Sequence, residues 1–327
     1  MSNSFPQPVS LEEVPTLDMA PLISGGDSRR LAQALRSACE GMAFFYVTNH
    51  GVSQETIDAA LSASKRFFDL PLETRLKVVK DRFHRGYLPL GTTHFPGRGP
   101  DLKDSYDIGV DLPLDHPDVV AGLPLHGPNQ WPDLPGFREP LESYFAAVRD
   151  FGLQLLKLFA YSLDLNAHFF VQHYTRPTIL MRLMHYPPQE QATDPTSIGA
   201  TAHTDFGLVT VLYQDPLGGL EVQKPDGEWA AAPPVPGTFV VNLGQLMARW
   251  TNDVYRATPH RVVNRLGKER YSIPFFFNPN HDAQVACIST CTGPGRPAQY
   301  PVVTAGEYIA NLVQINQGYQ PPGESDT

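Results

Sequence analysis

The order of apolar and polar residues predicts helices mainly in the first half of the chain and strands mainly in the second. Apolar residues recur at three- and four-residue steps, the spacing of one helix face, in three long segments: 27–40, 53–68 and 137–163. The apolar side of the third segment is expected to pack against a core. Shorter helices are predicted at residues 73–79 and 304–316.

Strands are indicated by short runs rich in β-branched and aromatic residues and bounded by glycine or proline. Early in the chain these runs lie at residues 14–19 and 42–48. Later runs follow one another closely, at 178–186, 203–213, 219–223, 228–231, 238–243, 259–264 and 270–277. Many strands at such short intervals, together with 32 prolines, favour a sandwich or barrel over a helical bundle.

Residues 80–135 show no sustained periodicity and are rich in glycine, proline, aspartate and histidine. We expect a long loop there, and loops of that length in compact domains are often functional. Residues 1–13 are predicted to form a loose arm, and residues 187–200 a polar loop.

The composition is that of a globular protein with ample material for a core, since 42% of its 327 residues are hydrophobic. The formal net charge of −9 argues against a nucleic-acid or anionic-membrane partner, which would favour a basic face. The chain shows neither an apolar run of transmembrane length nor a signal-peptide pattern at its start. Three cysteines, including Cys287 and Cys291, do not predict a disulfide framework, and we expect a reduced, cytoplasmic protein.

An imidazole and a carboxylate stand two residues apart at His203 and Asp205, just before an apolar run. If a strand begins near His203, both side chains point to the same face, about 6–7 Å apart along the strand. A second imidazole, His260, lies in another predicted strand. Two histidines and one aspartate form the facial triad that suits non-haem Fe(II) and leaves coordination positions open.

Ten residues after His260, Arg270 and Ser272 form another pair on one face at the start of a strand. The planar guanidinium fork and the hydroxyl together make a suitable clamp for a carboxylate. An exposed arginine at a strand end is the alternative explanation, and it would be favoured if Arg270 stood alone.

The order and spacing of these five residues resemble the 2-oxoglutarate- and Fe(II)-dependent dioxygenase superfamily, in its isopenicillin N synthase-like branch. Four flanking stretches also resemble that branch: 41–52, 85–87, 181–188 and 241–244. The resemblance covers residues 14–278, most of the chain. It implies an α+β fold, with a double-stranded β-helix (jelly-roll) core and flanking helices.

The resemblance also implies how the chain is divided. An arm at residues 1–13 would precede an N-terminal region of helices and strands at 14–135. A catalytic region at 136–327 would contain the jelly roll, its backing helix and a C-terminal helix that can fold over the site. The two regions are expected to form one compact unit.

By this resemblance the protein is an enzyme that binds Fe(II) at His203, Asp205 and His260 and uses 2-oxoglutarate and O2 to oxidise a small molecule. Succinate and CO2 would be released, and the substrate would be hydroxylated, desaturated or cyclised. The far carboxylate of 2-oxoglutarate would lie on Arg270 and Ser272.

Other positions match the family pattern less completely. Tyr186 would approach the co-substrate, whereas Met184 replaces a usual asparagine and Gln245 a usual aspartate. Three residues are candidates for substrate binding: Arg85, Tyr87 and Arg182. For Arg182, a salt bridge inside the fold is an equal alternative.

Other functions stay open on the sequence alone. An oxidase of the same fold would use no 2-oxoglutarate, and Arg270 and Ser272 would hold the carboxylate of its own substrate. A related variant breaks 2-oxoglutarate down to ethylene. A protein of another class would hold Zn in the triad and catalyse nothing. The sequence identifies neither the substrate nor the oligomeric state.

Overall fold

The structure is a computed structural model that describes residues 14–93, 99–188 and 198–317, with side chains described to residue 314. The predicted arm and most of the predicted polar loop lie outside these ranges. The strands are β1 Thr16–Asp18, β2 Phe44–Thr48, β3 Gly86–Leu88, β4 Asp104–Gly109, β5 Leu180–Tyr186, β6 Ala200–His203, β7 Val209–Gln214, β8 Leu220–Gln223, β9 Trp229–Ala231, β10 Phe239–Leu243, β11 His260–Val262, β12 Arg270–Phe277, β13 Gln284–Val285 and β14 Val303–Thr304. The α-helices are α1 Ala20–Ile23, α2 Arg29–Glu40, α3 Gln54–Phe68, α4 Leu72–Arg75, α5 Pro117–Val120, α6 Arg138–Ser162, α7 His168–Val171, α8 Gln245–Trp250 and α9 Ala305–Gln317.

Two sheets form the centre of the fold. Eight strands make the large sheet, in the order β1-β2-β10-β7-β12-β5-β4-β3, and four make the small sheet, in the order β6-β11-β8-β9. The strands of the site are antiparallel to their neighbours, as β12 is to both β5 and β7. Strands that are distant in sequence therefore lie side by side, as in a jelly roll.

Alternation along the strands gives the large sheet two different faces. On β12, Arg270 and Ser272 line a cavity between the sheets, whereas Ile273 and Phe275 join the main hydrophobic core. A smaller apolar cluster joins the two sheets, with residues from the large sheet and from the small one: Phe44, Tyr46, Val240, Leu220, Val222 and Val262. The inner face of the large sheet thus packs on the small sheet, and its outer face packs on helices.

Helix α6 backs the outer face of the large sheet, as its apolar pattern predicts. Its buried stripe includes Leu141, Val148 and Leu155, and α2 and α3 pack against it. Helix α3 begins where the sequence predicts, because the Ser53 hydroxyl caps the backbone N–H of Thr56 at 3.1 Å. Across the described ranges, we find no helix with the length and apolarity needed to cross a membrane.

The long loop predicted at residues 80–135 is wrong, because β3 and β4 lie there and extend the large sheet. Every residue of β4 is buried. Its register with β5 sets Asp107 opposite Arg182, and such directly paired residues share one face. The pattern did not predict this strand because its alternation is short, with only Tyr106 and Ile108 as apolar residues, in a region rich in glycine, proline and aspartate.

The single strand predicted at residues 203–213 is also wrong. Strand β6 ends at His203 in the small sheet, and β7 begins at Val209 in the large sheet. Residues 204–208 connect the two sheets. The apolar pattern ran across this break because Leu208 is as buried as the strand residues after it.

Candidate active site

Two neighbouring strands of the small sheet place two imidazoles side by side. In the pairing of β6 with β11, His203 lies opposite His260, and their ring centroids are 4.5 Å apart. The Nδ1 atoms lie 2.6 Å from the Thr201 carbonyl and 3.2 Å from the Thr258 carbonyl, respectively. When each Nδ1–H donates to its carbonyl, each Nε2 keeps the lone pair that a metal requires.

Asp205 joins these imidazoles from the connection after β6. Its Oδ1 lies 3.9 Å from Nε2 of His203 and 3.8 Å from Nε2 of His260. Its Oδ2 accepts hydrogen bonds from Thr210 Oγ1 and Asn242 Nδ2, each 2.6 Å long. Two donors therefore fix one carboxylate oxygen, and the other oxygen is directed at the imidazoles.

The backbone that carries Asp205 packs tightly against the start of α8. A side chain at Gly244 would come within 2.2 Å of the Gly207 carbonyl oxygen, so glycine is required there. Gln245 donates its backbone N–H to the Asp205 carbonyl and its side-chain amide to Thr204 Oγ1, both at 2.8 Å. The glutamine that departs from the family pattern thus holds the segment between the first two candidate ligands.

Burial and mutual charge set the protonation of this cluster. Burial and the neighbouring His260 lower the pKa of His203 to about 4, so the imidazole is neutral at neutral pH. For Asp205, burial opposes ionisation, but the two imidazoles and the hydrogen bonds from Thr210 and Asn242 outweigh it and lower the pKa. The ligand atoms lie within 4.8 Å of one another. Two imidazoles and one carboxylate form a donor set that fits Fe(II).

A cavity of about 60 Å³ lies between the two sheets and is lined by all three members of the cluster, and we call it the inter-sheet cavity. Arg270 and Ser272 also line it. Arg270 is 1% exposed, its Nε donates to the Gly218 carbonyl, and its Nη1 donates to Ser272 Oγ at 3.2 Å. A guanidinium has five N–H groups, so these two hydrogen bonds leave others for a ligand in the cavity.

Strand β5 contributes Tyr186 and Met184 to the same cavity. The guanidinium carbon of Arg270 lies 4.6 Å from the centroid of the Tyr186 ring, a cation–π contact. The Tyr186 hydroxyl lies 3.2 Å from the Met184 sulfur, a weak acceptor. Met184 therefore replaces the family asparagine with a softer wall and leaves Tyr186 as the polar group of this strand in the cavity.

A second cavity, of about 130 Å³, meets the first at the cluster, and we call it the outer cavity. Four residues line both cavities: Lys103, His203, Asp205 and Phe276. Other parts of its wall come from the segment before β3, from β3, β4 and β5, from several connections and from α9. Ile309 and Val313 place α9 over this side of the site, as predicted for the C-terminal helix.

Comparison with known proteins agrees with this geometry. Residues 167–279 match the 2OG-Fe(II) oxygenase superfamily, and residues 14–134 match a family described as non-haem dioxygenase in morphine synthesis N-terminal. A 2-oxoglutarate-Fe(II) type oxidoreductase of Emericella nidulans, hxnY, is 38% identical over 315 residues, which cover 93% of this chain and 90% of the relative. The chain belongs to the 2OG-Fe(II) oxygenase superfamily.

Further relatives extend this assignment. Azadirone synthase of Melia azedarach is 35% identical over 305 residues, covering 88% of this chain and 90% of that protein. A full-length Neurospora crassa protein, crystallised in complex with alpha-KG and thymine, is similar with a TM-score of 0.83 and 28% identity, covering 94% of this chain and 98% of that one. The predicted α+β jelly-roll fold is confirmed, as are Fe(II), 2-oxoglutarate and O2 as the cofactor and co-substrates of the enzyme.

Two of the three residues predicted to bind substrate in this oxygenase line the outer cavity, namely Arg85 and Arg182. Arg182 forms a two-point salt bridge with Asp107, at 2.5 and 2.8 Å, so the alternative of an internal ion pair is observed. The structure does not place Tyr87 at the site. Its ring joins the main core on the helix side of the sheet, and its hydroxyl donates to Asp104 Oδ2 at 2.8 Å.

The sequence did not predict several residues that support the site of this oxygenase. Asn242 lies in a stretch that resembles the family, yet its contact with Asp205 depends on how β10 pairs with β7. Thr210 faces inward with Leu212 on β7, and that parity is the signal that could have identified it. Lys80 and Lys103 lie in the segment predicted as a long loop, where no periodicity indicates which way their side chains point.

Proposed function

We propose that this Fe(II)- and 2-oxoglutarate-dependent oxygenase hydroxylates a small organic molecule bound in the outer cavity. In this proposal His203, Asp205 and His260 hold the iron, and Arg270 and Ser272 bind the far carboxylate of 2-oxoglutarate. The observation that carries it is the inter-sheet cavity, because this one cavity is lined both by the three candidate ligands and by a buried guanidinium.

The surroundings of Arg270 support the assignment of the co-substrate. The guanidinium is charged at any ordinary pH, and within the described ranges its hydrogen bonds go to neutral groups, the Gly218 carbonyl and the Ser272 hydroxyl. A buried positive charge without an anionic partner is costly. A dicarboxylate such as 2-oxoglutarate supplies that partner, and Tyr186 stacks on the other side of the guanidinium.

When bound, Fe(II) with 2-oxoglutarate and O2 supplies the oxidising chemistry and releases succinate and CO2. The protein's own residues position and protect this chemistry. Thr210 and Asn242 keep Asp205 ionised and directed at the imidazoles. Arg270 orients the co-substrate, and apolar side chains such as Phe44 and Leu212 keep water from the inter-sheet cavity.

The two cavities meet at the cluster, and this supports the proposal that the substrate binds next to the co-substrate. His203 and Asp205 line both cavities, so a molecule in the outer cavity lies beside the same centre from another direction. The Neurospora crassa structure contains both alpha-KG and thymine, a co-substrate and a small molecule together. This precedent is consistent with a small-molecule substrate for the present enzyme.

Succinate yield measured against O2 uptake tests the proposal, with candidate amino acids, phenolics, terpenoids and alkaloids supplied with and without 2-oxoglutarate. We expect one class to trigger succinate formation in proportion to the O2 consumed. Omission of Fe(II) is the matched control and should abolish both signals. Oxidation of the triggering compound that continues undiminished without 2-oxoglutarate would instead establish the oxidase alternative.

A further inference from the structure

The outer cavity is much more basic than the protein as a whole. The chain has a formal net charge of −9, yet four cationic side chains line this cavity: Lys80, Arg85, Lys103 and Arg182. Among the described residues of its wall, the one carboxylate is Asp205, which the proposed function assigns to iron. Substrate in this cavity therefore meets a wall whose charge is opposite to that of the rest of the protein.

Two of these cations, Lys80 and Arg182, bind the same buried carboxylate, that of Asp107. Lys80 Nζ lies 2.8 Å from Asp107 Oδ2, and Arg182 binds both oxygens of Asp107 through Nε and Nη2. Lys80 and Asp107 are each 1% exposed. The one negative charge of Asp107 is thus shared by two positive charges. The salt bridge between Arg182 and Asp107 uses Nε and Nη2 of the guanidinium and does not use Nη1.

Arg85 adds a third positive charge to the same wall. It is 2% exposed, and its guanidinium donates to the backbone carbonyls of Phe83 and Leu125. Asp81 accepts backbone N–H groups of this loop rather than the guanidinium. Burial lowers the pKa of Arg85 to about 10, which leaves it charged at neutral pH. The charge of Lys103, by contrast, is balanced by Asp101 at 2.7 Å.

Some polar atoms without partners belong to residues that line this cavity. Three lining residues each carry a buried side-chain atom that has no hydrogen-bond partner within the described part of the protein: Arg85 Nε, Thr178 Oγ1 and Asn278 Oδ1. All three residues are at least nine-tenths buried. Buried polar groups are normally paired, so a ligand with hydrogen-bonding atoms would satisfy groups that the protein leaves unsatisfied.

Much of the remaining wall is apolar. It is formed by side chains from β3, β5, α9 and two connections: Leu88, Leu125, Leu180, Phe206, Ile309 and Val313. A charged group and an apolar surface in one small cavity are the combination that orients a ligand and fixes its specificity.

We propose that the substrate of this oxygenase is a small organic carboxylate with an apolar body. The carboxylate binds where Lys80, Arg85 and Arg182 line the outer cavity, because Lys80 and Arg182 both bind Asp107 while the hydrogen bonds of the Arg85 guanidinium go to neutral carbonyls. The body packs on the apolar wall, which directs one of its C–H bonds toward the cluster that both cavities share. This inference rests on the proposed function for the position of the iron, and it adds the chemical class of the substrate.

Calorimetric titration of acid and amide pairs into the Fe(II)-loaded enzyme tests this class without turnover. O2 is excluded, and saturating 2-oxoglutarate occupies the Arg270 site so that the probes report on the outer cavity. The pairs are benzoate with benzamide, 3-phenylpropanoate with 3-phenylpropanamide, and hexanoate with hexanamide. In at least one pair we expect the acid to bind tenfold or more tightly than its amide, which has the same shape without the charge.

A variant that removes one positive charge tests whether the preference for the acid arises at the proposed carboxylate site. Lys80→Met keeps the unbranched stem and removes the ammonium, and it should lower the ratio of acid to amide affinity severalfold, because Arg85 and Arg182 keep their charges. Lys77→Met is the matched control, because Lys77 is exposed in the same segment and lines neither cavity. It should leave the ratio unchanged. If Lys80→Met does not fold, the comparison of acid with amide in the native enzyme still decides.

Amides that bind as tightly as their acids, or a complete set of probes that does not bind, would overturn the carboxylate assignment. Neither result would affect the proposed function. That function fails on a separate measurement in the same experiment, namely if 2-oxoglutarate does not bind to the Fe(II)-loaded enzyme.

Discussion

The two cavities that meet at the metal cluster are built from different kinds of structure. Alternate residues of long paired strands line the inter-sheet cavity, as Arg270 and Ser272 do on β12. The outer cavity takes its wall from connections, short strands and a helix, as Lys80 and Ile309 illustrate. In the proposed function the sheet would hold the co-substrate, whereas the substrate would contact segments that can vary without altering the sheet.

Asp205→Ala should produce the largest effect, since it removes the charged ligand at the point where the cavities meet. We expect iron per chain to fall to a small fraction of the native value and succinate formation to be lost. Metal analysis of the purified variant checks this, with Asp226→Ala, at an exposed carboxylate, as control. Full iron retention in Asp205→Ala and in the corresponding alanine variants of His203 and His260 would rule out the proposed metal site.

Arg270→Ala should affect the inter-sheet cavity alone. Loss of the buried charge should weaken 2-oxoglutarate by about 2–5 kcal/mol, seen as a rise in the concentration needed for half-maximal succinate formation. Ser272→Ala removes one neutral hydrogen bond and should cost about 0.5–1.5 kcal/mol. The two cavities would be misassigned if Arg270→Ala weakened the oxidised substrate and left the 2-oxoglutarate requirement unchanged.

Asn242→Ala should weaken the metal site without removing a ligand. One of the two donors to Asp205 Oδ2 is lost, and such supporting contacts are typically worth about 10–100-fold in metal affinity. Competition with a chelator of known affinity measures the change. Thr210→Val removes the other donor and should act in the same direction, so native affinity in both variants would contradict the role assigned to them.

Val313→Ala should give the smallest effect, confined to the outer cavity. The lost methyl groups line its wall, and their removal should raise the KM of the compound that triggers succinate formation by several-fold, about 1 kcal/mol. The 2-oxoglutarate requirement should stay at its native value. Asn311→Ala is the control, because Asn311 is exposed on the same helix. An equal change in both KM values would show that α9 acts on both cavities.

The difference between the two cavities also explains how much of the site could be predicted from the sequence. Arg270, Ser272 and Tyr186 could be predicted because a strand repeats every two residues, and the structure brings all three to one cavity. Asp205 was expected beside His203 on one strand, but it reaches the cluster from a connection between sheets. The apolar pattern did not reveal that break.

The outer cavity could not be predicted in the same way. The position of Lys80 depends on Asp107, and the position of Asp107 depends on the register of β4 against β5. That register joins segments 75 residues apart in the chain. The spacing of residues within one segment cannot reveal such a pairing between strands. For the same reason the sequence predicts Tyr87 at the site, whereas its side chain points to the other face of the sheet.

The place of α9 in the chain has a consequence for the order in which the enzyme is completed during translation. The ribosome makes His203, Asp205 and His260 well before Ile309 and Val313, because synthesis starts at the N-terminus. A nascent chain therefore contains every proposed metal ligand while the wall of its outer cavity is still incomplete.

The emergence of α9 then connects this wall to the ligands through one glutamine. The Tyr308 hydroxyl donates to Gln245 Oε1 at 3.2 Å, and the amide of Gln245 donates to Thr204, between His203 and Asp205. The last described helix to leave the ribosome thus completes the wall of the outer cavity and contacts the segment that carries two of the candidate ligands.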